Sequence, residues 1–227
     1  MDTKKITLIA VLASAYAALS MLPGIPMIGT DGSTIDLVRT LEIGYGLALG
    51  PYYGPLTAFI GAVVGKMLKG GGFGLFFTPL AAVSAFVAAM IGRDNGRRWW
   101  VAAGVEIALI ACWYLFETGR AVWYLPAMHV AGLLTLLVLR TRIGEWMGSE
   151  DRRMMSVGAF ICSFASTVAG HMLGNLIFMA LLAPEPSLFV AVMAVSLIER
   201  LGISIGATVF ATSLLITVRK MYPELLE

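Results

Sequence analysis

The side chains in this sequence that could do chemistry fall into three groups. In IDLVRTLEIGYGLALG, residues 35–50, the charges Asp36, Arg39 and Glu42 stand three apart, so they share one helical face and the arginine can reach a carboxylate one turn either way. In VAGHMLGNLIF, His171 and Asn175 are one turn apart and share a face with Phe178. Glu199 and Arg200 are adjacent inside the last apolar run. Such an amide and imidazole as Asn175 and His171 can hydrogen-bond a ligand. The two histidines, His129 and His171, are 42 residues apart and no acidic cluster accompanies them, so a metal site is not expected. H-E-x-x-H and the D-x-x-D-G-x-x-A-R pattern of CDP-alcohol phosphotransferases are missing, and the G-x-S-x-G at 202–206 falls inside an apolar run and not on the strand-to-helix turn that a nucleophile elbow needs, which leaves an integral membrane enzyme the weaker reading. A non-catalytic assembly subunit of a larger membrane complex is the other alternative to a binding protein.

The elements that must position these residues follow from composition. Hydrophobic residues make up 59% of the 227 and charged residues 13%, against roughly 45–50% and about 25% in soluble domains. The chain reads as an all-α integral membrane protein. A ~30 Å hydrocarbon core takes about 20 helical residues, which bounds the chain at a compact bundle of about six to eight transmembrane helices in a single polytopic domain, 1–227. Apolar runs fall near 6–22, 35–50, 52–68, 75–92, 99–117, 121–140, 154–182 and 188–218. The pair at 99–140 either crosses twice or forms a hairpin that dips and returns. Glu199-Arg200 interrupts the last run, so 188–197 reads as a short interfacial or half-inserted helix and 199–218 as the final span. The first run also resembles a signal peptide, but its Ala-x-Ala matches lie inside the apolar stretch, which favours a first membrane helix. Cys112 and Cys162 sit in apolar runs as packing residues.

Within such a bundle an intramembrane charge costs about 2.5–3.5 kcal/mol on insertion scales and turns toward a cavity or a partner. The Asp36, Arg39, Glu42 face is therefore either a wall of a substrate cavity or a self-neutralised cluster bracing a short helix. His171 with Asn175 lines a pocket or ties helices together. Glu199 and Arg200 close a pocket or anchor a helix near the outer interface. Trp113, Tyr114, Glu117, Arg120, Trp123 and Tyr124 cluster at the end of the 99–140 hairpin, as ligand contacts or as an interfacial belt. His129, Glu106 and Lys66 read as isolated, with Lys66 snorkelling.

Gly50-Pro51 makes a corner between two apolar runs, Pro51 fitting the first turn of the second helix. Beyond it Gly54, Ala58 and Ala62 recur every four residues and Gly61 and Gly65 form a G-x-x-x-G pair, the small-residue pattern of closely packed membrane helices. Gly70–Gly72 form a turn and complete no phosphate-binding motif. Lys4, Lys5, Arg93, Arg97, Arg98, Arg140, Arg142, Arg152, Arg153, Arg219 and Lys220 fall on one side if every run crosses, eleven of the sixteen basic residues. That side is cytoplasmic by the positive-inside rule, with both termini, in a cell membrane. A net charge of +2 argues for no nucleic-acid partner.

The order of features resembles a known family. A basic start runs into KKITLIAVLASAYAAL, an outer loop and a short acid-bearing helix follow, then LGPYYGPLTAFIGAVVGKML, a glycine-rich turn, and GNLIFMALLAPEPSLFVAVMAVSLIERLGISIGATVF near the end. This is similar to the substrate-binding S component of energy-coupling factor (ECF) transporters over 1–92 and 157–220, while the hairpin at 99–140 adds two helices to the usual six. The resemblance implies high-affinity capture of a vitamin or similar micronutrient from outside, in a pocket toward the outer face. It implies as partners a transmembrane coupling subunit and two ATPases, since the chain has no Walker motif and no cofactor is expected. It further implies that the small-residue face Ala10, Ser14, Ala18 docks the coupling subunit, where the residues alone suggest ordinary helix packing.

Overall fold

The computed structural model describes residues 3–26, 34–35 and 37–222, which are helical apart from a short antiparallel pairing of Ile25–Pro26 with Thr34–Ile35. The helices among them are α1 (Thr3–Leu19), α2 (Thr40–Leu68), α3 (Pro79–Gly92), α4 (Trp99–Trp113), α5 (Glu117–Ala121), α6 (Ala127–Leu139), α7 (Thr141–Gly148), α8 (Arg152–Leu182) and α9 (Pro186–Met221). Four helical stretches have the length and apolarity of a membrane span: 37–68, taken across its reversal at Gly50, 72–92, α8 and α9. Counting α6 with α7 as one span bent by 75° makes five. The architecture is thus an all-α, multi-span bundle, but six to eight full spans exceed what these lengths support. The difference arises because α1 and α4 stop short at 17 and 15 residues and α6 ends at Arg140, which has a positive φ of 49°.

The Gly-Pro corner is a reversal inside α2. Gly50 has φ 82° and ψ −175°, a conformation open to glycine and strained for other residues. The two legs of α2 fold back so closely that a Cβ on Gly54 would lie 2.6 Å from Gly46 Cα. The second leg also packs on α1, where a Cβ on Gly61 would meet Tyr16 Cβ at 2.6 Å, as the G-x-x-x-G spacing predicts. A buried core of Ile43, Leu47, Val87, Ile91, Leu136 and Met147 joins α2, α3, α6 and α7. Cys162 lies in the same core, fully buried and free.

The final helix departs from the sequence reading. α9 runs unbroken for 36 residues, with no break at Glu199-Arg200, because Arg200 turns inward and is 1% exposed. A charge that meets an interior cavity has no need to leave the helix.

The two ends of the bundle differ in kind. At one, Arg93 Nη1 donates to the Leu47 and Ala48 carbonyls at 3.2 Å each, beside the Gly50 corner. Gly96 sits against Thr141 and Gly144 of α7, and Arg219 donates to the carbonyls of Met147 and Ser149. Most of the basic residues read as cytoplasmic therefore belong to corners that gather together. The turn 72–77, the α4–α5 junction and the start of α9 occupy the other end, where Thr118 Oγ1 donates to the Pro184 carbonyl at 3.1 Å.

Candidate functional site

At that second end lies a cavity of about 110 Å3, walled by α3, α8, α9 and the turns at 37–39 and 72–77. Arg39, His171, Asn175, Glu199 and Arg200 all line it, so residues from three distant stretches of sequence meet in one place. Helical spacing accounts for the α8 contribution, because 171, 175 and 178 follow one face and Phe178 joins the lining. A Cβ on Gly174, between them, would meet Leu80 of α3 at 2.9 Å, so a small residue there lets α8 close the wall.

The charges are paired locally and incompletely. Arg39 Nε lies 3.5 Å from Glu42 Oε1, and the same oxygen accepts the Tyr16 hydroxyl at 2.9 Å. Glu42 thus stands behind Arg39 rather than in the lining. Arg200 Nη2 donates to Glu199 Oε2 at 3.4 Å, while its Nε and Nη1 are buried with no partner among the described residues. A buried guanidinium with unfilled donors is costly unless something brings acceptors to it. Asp36, expected on the same face as Arg39 and Glu42, lies outside the described residues.

Three aromatics complete the apolar wall, Phe77, Phe178 and Phe189, with Phe178 and Phe189 edge to face at 6.1 Å. Trp113, expected as a ligand contact, stands one layer behind. It is 1% exposed, packs edge-on against Phe189 at 5.1 Å and donates its indole N–H to the Gly119 carbonyl at 2.8 Å. Trp123 is 67% exposed and packs on Tyr124, away from the cavity. The hairpin aromatics thus divide between a second layer and an outer surface. Arg120 there donates to the Tyr114 and Leu115 carbonyls, closing the end of α4.

His129 is not isolated. Its Nε2 lies 3.1 Å from His171 Nδ1. The rings are within 5° of parallel with centroids 5.3 Å apart. Centroids so much farther apart than the facing nitrogens mean rings lying edge to edge in nearly one plane, in hydrogen-bonding geometry and not stacked face on. The sequence carried only a faint signal for this pair, the sole two histidines of an oily chain. Phe77, Leu80, Phe189 and Val192 are lining residues for which no spacing pattern spoke. Lys66 lies along the 72–77 turn beside Gly74, and Glu106 is buried near Gly132 with no hydrogen-bond partner among the described residues.

The face Ala10, Ser14, Ala18 is exposed, whereas Ala13, Tyr16 and Ala17 are buried toward α2. Among the described residues no group of three or more metal-ligating side chains comes together.

Residues 1–131 match the model of a family described as "ECF-type riboflavin transporter, S component". The chain is also 28% identical over 189 residues to the uncharacterized protein MJ0923 of Methanocaldococcus jannaschii, an alignment covering 81% of this chain and 61% of that protein. The chain therefore spans about three-fifths of the length of the curated relative it matches. No solved structure matches it.

Proposed function

This chain belongs to the family of ECF-type riboflavin transporter S components, and from that membership we propose that it is a membrane-embedded binding subunit. It captures a vitamin or similar micronutrient and performs no chemistry on it. The observation that carries this reading is the cavity itself: Arg39, His171, Asn175 and Arg200, polar groups from separate stretches of an otherwise oily chain, converge on one cavity with aromatic walls. A site of that kind, mostly apolar with a few placed polar groups, is what small-molecule recognition requires.

Riboflavin, the vitamin of the family's description, is the first ligand to test. Riboflavin is larger than the cavity of the ligand-free chain, so its binding requires the walls to part; its flat ring then meets Phe77, Phe178 and Phe189, and its ring carbonyls the unfilled donors of Arg200. Glu42 and Glu199 belong to the same ligand site as the groups that balance or orient its arginines, and Trp113 supports it through Phe189. Trp123 contributes only where a ligand passes the outer surface.

The cavity end faces outward and both termini face the cytoplasm, a direction supported by the basic corners gathered at the opposite end. The exposed Ala10, Ser14, Ala18 face of α1 docks a transmembrane coupling subunit, to which separate ATPases supply energy.

The test is purification of the chain alone, mass spectrometry of any small molecule carried with it, and titration with riboflavin followed by flavin fluorescence. One flavin bound per chain, with quenching, is expected. A preparation that carries no small molecule and leaves flavin fluorescence unchanged would overturn the reading.

A further inference from the structure

Seven of the fourteen residues that line the cavity belong to α9. Over its later part this helix packs by one buried stripe, from Arg200 through Ile203, Ala207 and Ala211 to Val218. Toward its start the helix borders the cavity, with Val192, Ser196 and Glu199 in the lining. Between Pro186 and Glu199 the sole buried residue is Phe189. We propose that residues 186–199 are a movable wall of the cavity, and that the hairpin 99–140 holds this wall shut by receiving Phe189 beside Trp113.

The hold comes from the hairpin tip. Phe189 enters a buried cluster with Trp113, Val122 and Leu125 of the hairpin and with Met172, Leu176 and Met179 of α8. The Trp113 ring meets it edge-on at 5.1 Å and is itself fixed by its indole N–H on the Gly119 carbonyl at 2.8 Å. A Cβ on Gly119 would run into the Trp113 carbonyl, so the tip closes without slack. Thr118 Oγ1 adds a tether, donating to the Pro184 carbonyl at 3.1 Å just ahead of α9. At the base of the wall, Gly202 borders open space and Ser204 Oγ donates to the Arg200 carbonyl at 2.6 Å. A glycine and a back-bonding serine are where helices bend. The wall thus has a latch at one end and a bending point at the other.

The remaining walls have less to give. α3 and α8 are in close contact, because a Cβ on Gly174 would lie 2.9 Å from Leu80 and one on Gly170 would collide with Ser84 Oγ. The 72–77 turn supplies one lining residue, Phe77. The cavity of about 110 Å3 is smaller than the ~300–1,000 Å3 of small-molecule sites, and displacing the wall that carries half of its lining enlarges it most. The hairpin, none of whose side chains lines the cavity, then sets how readily the site opens. That the opening admits the ligand rests on the cavity being the binding site; the opening itself does not.

Pulsed electron spin resonance between nitroxides on Val157→Cys and Met193→Cys, in a chain carrying Cys112→Ala and Cys162→Ala, reads the wall against α8. Val157→Cys with Val209→Cys reads the packed part of the same helix, and all three labelled positions are exposed. In the ligand-free chain the first pair should show a closed distance and a minor longer one, and the second pair a single distance. Trp113→Leu should raise the open-to-closed ratio roughly two- to tenfold, the worth of one aromatic pair, and Thr118→Val should raise it too. Val138→Ala, on the exposed side of the same hairpin, should leave the ratio unchanged. Riboflavin should associate faster with the Trp113 and Thr118 variants. A Met193 distance that neither variant alters, a Val209 distance that moves as far, or an equal rise in Val138→Ala would overturn the proposal. If Trp113→Leu fails to fold, Thr118→Val decides. Failure of the unaltered chain to bind riboflavin, with the expected distances, counts against the ligand and leaves the movable wall standing.

Discussion

Arginine does opposite work at the two ends of this bundle. At the basic end, Arg93 reaches the Leu47 and Ala48 carbonyls freed by the Gly50 reversal, and Arg219 reaches those of Met147 and Ser149. Helix ends leave carbonyls without partners, and a guanidinium with several donors fills them. At the cavity end, Arg200 sits in mid-helix, where the carbonyls around it are already engaged in the α9 ladder. Two of its nitrogens consequently have no partner. The same residue type closes a corner where orphan acceptors are at hand, and waits for a ligand where they are not.

Four substitutions would break or sharpen that contrast. The largest effect is expected of Arg200→Gln: ligand affinity should fall roughly 10- to 150-fold, the range of a hydrogen bond to a charged group, while thermal stability of the ligand-free chain holds. A stability loss with unchanged affinity would make Arg200 one more structural arginine. Arg93→Gln should do the reverse, lowering stability by about 1–2 kcal/mol through the two lost carbonyl contacts with affinity intact, as read by thermal unfolding in detergent and flavin titration. Asn175→Ala comes next, with about 1 kcal/mol of binding, measured against Lys66→Ala as an off-site control; equal affinities would remove the amide from the site. Ser14→Trp should leave solitary binding untouched yet abolish co-purification with a coupling subunit, since an indole prevents close helix approach. Loss of solitary binding in that variant would mean that the face packs internally.

The residues legible in the sequence were those whose types are scarce in an oily chain and whose spacing is local. Arg39, His171, Asn175 and Arg200 stand out against apolar neighbours, and Gly50-Pro51 marks its own reversal. What escaped depends on how distant helices lie together. His129 and His171 are hydrogen-bonded only because α6 packs along α8, a relation no periodicity encodes. Glu199-Arg200 looked like a break because a charge in an apolar run costs free energy, and only the cavity facing it removes that cost. Trp113 read as a ligand contact or as part of an interfacial belt, yet its N–H finds the Gly119 carbonyl inside the fold. The count of spans suffered for a related reason: apolar runs continue through turns and corners, so run length overstated helix length at α4 and α6.

The reversal at Gly50 bears on the order in which the chain can enter a bilayer. The first leg of α2, residues 40–49, rises about 15 Å at 1.5 Å per residue, half of a ~30 Å hydrocarbon core, and it carries Glu42 with Arg39 just before it. Such a segment is too short and too polar to partition by itself. Folded against 51–68 it travels as the junior half of a helical hairpin, drawn in by a leg that leaves the ribosome after it. The charges thus reach the interior before α8 and α9 have been synthesised, when no cavity exists to receive them. The partners of Glu42 fit that schedule: Arg39 and the Tyr16 hydroxyl are both already made, so the charge can be neutralised by residues upstream of it while the rest of the site is still being translated.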